Sequence, residues 1–113
     1  MTHPDEYRSF VDQKRFLSEI EHGIRLANRE IIDKRIPSIT KDSVLSFAVA
    51  VARMRADYLS AAFSISSNDR GEAPDKDTVD NLREKRLMYE EARDAFEALR
   101  DAIVKGYAAL AEM

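Results

Sequence analysis

Leu82, Tyr89, Phe96, Ile103 and Leu110 recur at every seventh position without a break, and Ala92, Leu99, Gly106 and Met113 follow successive members three residues later. Apolar residues spaced alternately by three and four gather on one side of an α-helix, whereas a strand, whose faces alternate every second residue, scatters them. The series predicts a helix from about residue 75 to 113. Gly106, which costs about 1 kcal/mol relative to Ala in a helix interior, is where that helix is most easily interrupted.

A second seven-residue series, Phe10, Leu17, Ile24 and Ile31, carries Ile20 and Ala27 at its intermediate positions and predicts a helix over about 3–35. Thr2 with Asp5 approximates a capping box at its start, and Ile36-Pro37 ends it. Thr40, followed by Asp42 in the first turn, predicts the start of a middle helix over about 41–65. The stretch from Ser66 to Pro74, punctuated by Gly71 and Pro74, reads as the one long loop. Three Gly and three Pro in 113 residues leave few turns, and 44% apolar residues suffice for a core. The expected fold is all-α: one domain over 1–113, a long antiparallel helical bundle of three principal helices.

The middle helix is apolar on two sides. At 100° per residue, Leu45, Val49, Ala52, Ala56, Leu59 and Phe63 fall on one face, and Phe47, Val51, Met54, Tyr58 and Ile65 on nearly the opposite one. A corner helix of a compact bundle needs one such stripe, so a second implies a further packing partner. The expectation is a homodimer, or association with another protein, through Phe47, Val51, Met54, Tyr58 and Ile65. Arg86, Arg93 and Arg100 flank the seam of the last helix at heptad spacing and are candidates for setting register at that interface.

Other chemistry is constrained by what the chain carries. Without Cys there is no disulfide framework, thiol nucleophile or thiolate metal site, which suits the cytoplasm. Two histidines, His3 and His22, are too few for a three-histidine zinc site. The polar segment after Met1 does not resemble a signal peptide, and Val44 to Ile65 carries Arg53, Arg55 and Asp57 near its middle, each costing ~2.5–3.5 kcal/mol at a bilayer centre. No membrane association is expected.

Arg8, Arg15, His22 and Arg29 form a regular outer stripe on the first helix. Acids four residues on, Asp12, Glu19 and Asp33, pair with three of them, and the net charge of −3 lacks the basic excess that nucleic acid attracts. Glu19-x-x-His22 has the spacing of a ferritin-like metal ligand pair but falls on the polar side of its helix, away from Leu17, Ile20 and Ile24. In the loop, Arg70 and Asp77 occupy positions where a calcium loop needs ligands of another kind. On the middle helix, Arg53, Asp57 and Ser60, with Ser46 and Ser64, form a polar wedge that could line a cleft for a small ligand, with Arg55 alone across from it. No nucleophile, base and orienting residue fall at readable positions. The reading that results is a non-catalytic helical interaction module, with no cofactor or metal, such as a small cytoplasmic adaptor, regulator or assembly factor. A ligand-binding bundle is the alternative and a nucleic-acid-binding regulator the third.

Overall fold

A computed structural model describes residues 4–67 and 70–111. Among them are three α-helices, α1 (Pro4–Arg35), α2 (Lys41–Phe63) and α3 (Lys76–Val104), with a 3-10 turn at Ser64–Ser67 after α2. The chain is all-α; the only bridge pairing among the described residues is an isolated parallel one between Ile39 and Leu110. Thr2, His3 and Met113 lie outside the described residues.

The sequence chemistry at the helix ends explains where they fall. Thr40, in extended conformation, accepts from the Ser43 backbone N–H at 3.0 Å, and its own N–H donates to Ser43 Oγ at 3.0 Å, a reciprocal capping box. Asp75 does the same work before α3, accepting from the Thr78 N–H at 2.8 Å and the Thr78 hydroxyl at 2.6 Å. These bonds hold the Asp75 carboxyl below the usual carboxylate range, the Thr78 hydroxyl contributing most. α2 tightens to 3-10 from Ser64 rather than continuing as α-helix to residue 65.

α3 stops at Val104, not at 113. Gly106 sits at φ +76, its N–H donates to the Ile103 carbonyl at 3.1 Å, and the Tyr107 N–H donates to the Ala102 carbonyl at 2.8 Å. This pair of bonds is a Schellman motif, which satisfies the last carbonyls of the helix and turns the chain away. The heptad series runs on through Leu110, but beyond Gly106 it is no longer helical.

Contacts divide the chain into two compact units, one comprising the chain up to Ile39 together with the segment from Ala102 onward, the other Thr40–Asp101. In the Thr40–Asp101 unit, α2 and α3 pack as a hairpin. Phe47 meets Phe96 edge to face at 5.4 Å between ring centroids, and Tyr58 stacks on Tyr89 at 6.2 Å. Partner numbers rise along one helix and fall along the other, so the two run antiparallel. Val44, Val51 and Tyr58 recur at seven along α2, with Val51 buried and Val44 and Tyr58 half-buried, and Tyr89 and Phe96 of α3 supply the facing rings.

In the other unit, the segment turned by Gly106 is tied to the connection after α1. The Ala111 N–H donates to the Ile39 carbonyl at 2.8 Å, and Ile39 and Ala108 are buried. The Ala109 N–H reaches Asp33 Oδ1 at 3.4 Å. A Cβ at Gly106 would lie 3.7 Å from Arg25 Cδ, an ordinary contact, so the cost of a side chain there is conformational. Gly106→Ala is expected to lower stability by about 1–2 kcal/mol, and Gly106→Asn by less, because asparagine tolerates the left-handed region; urea unfolding followed by circular dichroism measures both.

Candidate interaction surfaces

The two apolar faces of α2 have different fates. Of the face Phe47, Val51, Met54, Tyr58 and Ile65, Phe47 and Tyr58 contact rings of α3, Val51 is buried, Met54 is half-buried, and Ile65 is half-buried in the 3-10 turn after α2. α3 wins this face because its own seam supplies aromatic rings, Tyr89 and Phe96, opposite Tyr58 and Phe47. The opposite stripe is left open: Leu45, Val49, Leu59 and Phe63 are all exposed, Phe63 at 78%.

The seam of α1 is open too. Phe10, Leu17, Ile20, Ile24 and Ile31 are exposed, Phe10 at 64%, and so is Ala27. Among the described side chains of α1, Val11, Asn28, Ile32 and Asp33 are half-buried and the remainder exposed. A patch of this kind is what soluble chains usually cover with a partner.

The polar wedge of α2 faces outward. Arg53, Asp57 and Ser60 are exposed and lie across the helix from Val51, so they line no interior cleft. Once α3 takes the Val51 face, this wedge has to turn to solvent. Arg55, which falls beside the packed face, has the more specific role. Its Nε donates to Tyr89 Oη at 3.0 Å and its guanidinium lies 5.3 Å from the ring centroid. Arg93 approaches the same ring at 5.5 Å while donating to Asp94 at 3.3 Å. Arg86 and Arg100 are exposed. Sequence reasoning placed Arg93 on the seam edge but gave Arg55 no partner; its proximity to the Val51–Tyr58 series was the available signal.

Tyr89 is thereby held by two cations and a stacked ring. The Arg55 hydrogen bond, more than any other influence, lowers its phenol from the ordinary 10.0, with Arg93 adding to the effect against some desolvation. On α1, Ser18, Glu19, Glu21, His22 and Arg25 border an open depression of about 410 Å³. One helix supplies every wall, so Glu19 and His22 have no facing element to complete a ligand set, and no group of three or more metal-ligating side chains gathers among the described residues. No helix among the described residues is long and apolar enough to cross a membrane.

Comparison with known protein families, curated proteins and solved structures finds no match.

The lowered phenol of Tyr89 gives a signed pH dependence. Its folded form loses the proton before its unfolded form does, so its contribution to stability grows as pH rises towards 10.0 and disappears as pH falls through the folded value. Unfolding midpoints measured across that alkaline range are expected to show wild type gaining on Tyr89→Phe as pH rises; parallel curves would contradict the Arg55–Tyr89 assignment.

Proposed function

We propose that the protein is a non-catalytic helical interaction module that assembles as a homodimer and receives a partner helix on the open face of α2. The observation that carries this reading is the unmatched stripe of Leu45, Val49, Leu59 and Phe63 on a helix whose other face is already packed. An amphipathic helix laid into such a stripe, with anchors at helical spacing, is a common recognition mode. The antiparallel α2–α3 hairpin then becomes part of a larger helical bundle completed by the second copy.

The titrating groups support a structural rather than a catalytic role. Asp75, Tyr89 and Arg93 have displaced acidity, and the shifts trace to a helix cap, to the Arg55 hydrogen bond on Tyr89, and to Asp94 and Tyr89 beside Arg93. A cytoplasmic setting belongs to the same proposal, supported by the absence of cysteine from the sequence.

Light scattering on the purified chain at micromolar concentration is expected to give the mass of a dimer; a monomer would overturn the assembly. The variant combining Leu45→Glu with Leu59→Glu changes exposed positions and is expected to shift stability by no more than about 0.5 kcal/mol per site. Used as bait beside wild type in extract of its own cells, it is expected to lose the bound partner. Identical captured proteins from both baits would refute the role of this face.

A further inference from the structure

We infer that α1 is the self-association element: two copies of this chain pair along it as a parallel, in-register, two-stranded coiled coil through Phe10, Leu17, Ile20, Ile24, Ala27 and Ile31. This rests on the proposed reading in one respect, that the chain is a dimer, and it places the dimer contact on α1, leaving the open face of α2 to the partner helix.

A helix of 32 residues whose seam is exposed along its length has little tertiary support, and helices in water depend on burying an amphipathic face. The occupant is selected by the seam itself. In a parallel, in-register pair every member meets its own copy, so the six apolar positions pair apolar on apolar, and the polar seam positions Gln13 and Lys34 meet their own copies near the two ends. Antiparallel heptad alignments instead set each principal position against an intermediate one. The three that overlap most of the helix oppose Ile31 to Gln13 and Phe10 to Lys34, or Leu17 to Lys34, or Ile24 to Gln13 and Ile31 to Glu6. The first of these also places Glu21 against itself.

Charge complementarity points the same way. Glu30 precedes the seam residue Ile31, and Arg35 flanks the next half-turn; in the parallel pair Glu30 of one copy lies beside Arg35 of the second, twice by symmetry. Within the chain Glu30 holds an exposed pair with Lys34 at 3.5 Å, which does not commit it. The seam is also accessible. The segment after α3 approaches α1 at a cleft of about 350 Å³ lined by Glu21, Ile24, Arg25, Lys105 and Tyr107, and Ile24, the seam residue that borders it, remains 46% exposed.

The cysteine-free chain makes the geometry directly testable. Gln13→Cys and Lys34→Cys put single thiols at polar seam positions near either end of α1, without removing an apolar contact. In a glutathione redox buffer each variant is expected to form a symmetric disulfide-linked dimer nearly to completion. Disulfides confined to mixtures of the two variants would bring residue 13 of one copy beside residue 34 of the second, which a parallel, in-register pair forbids, and would overturn the inference. Absence of disulfide at both positions in a sample that light scattering finds dimeric would overturn it too, while leaving the homodimer proposal standing; a monomer would remove both. The variant Leu17→Glu with Ile24→Glu is expected to be monomeric with the near-ultraviolet circular dichroism of the α2–α3 hairpin preserved, and a persistent dimer would count against α1.

Discussion

The match between two seven-residue series, one on α2 and one on α3, is the constraint on which the rest of the chain is arranged. Val44, Val51 and Tyr58 recur at seven along α2 and Leu82, Tyr89 and Phe96 along α3, and the contacts of Tyr58 with Tyr89 and of Phe47 with Phe96 fix which residues are opposite. Rings prefer offset or edge-on contact, so Phe47 on Phe96 and Tyr58 on Tyr89 specify register in a way that interchangeable aliphatic side chains do not. Everything apolar outside that match is left to be satisfied elsewhere. That is why the open stripes on α1 and α2 carry the functional reading.

Among the described residues of this hairpin Val51 alone is buried, so its interior is thin, and polar aromatic contacts take a larger share of the work than in a thick core. Tyr89 joins three elements of recognition at one ring: a stacked Tyr58, a hydrogen-bonded Arg55 and a second guanidinium from Arg93. Arginine suits this position because its planar head stacks and donates at once while its stem covers apolar surface. The charge-rich composition therefore contributes to packing as well as to solubility.

Much of the architecture was legible in the residues. Thr40 is a strong local signal because a side-chain oxygen before a helix satisfies backbone donors without help from distant residues. The seam of α3 was legible for the same reason, since its period belongs to one helix alone. The end of α3 was harder: Leu110 keeps the period, while the competing signal is a single residue, Gly106, whose left-handed conformation prevailed. Which face of α2 would be taken could not be read from α2. Both stripes are apolar and continuous, and the choice rests on rings contributed from beyond the loop. Arg55 was similarly opaque, because its acceptor is 34 residues away in sequence.

The clasp between Ile39 and Ala111 gives the chain an inserted topology. One unit is discontinuous, made of segments on either side of Thr40–Asp101, and the hairpin is the insert between them. Closing so long a loop carries an entropic cost, set against the Ala111–Ile39 backbone hydrogen bond, the Ala109–Asp33 hydrogen bond and the buried Ile39 and Ala108. The inserted hairpin reduces that cost by bringing its own ends together, acting as a tether that raises the effective concentration of Ile39 near Ala111. The insert itself is held by contacts between its own helices, Phe47 on Phe96 and Tyr58 on Tyr89.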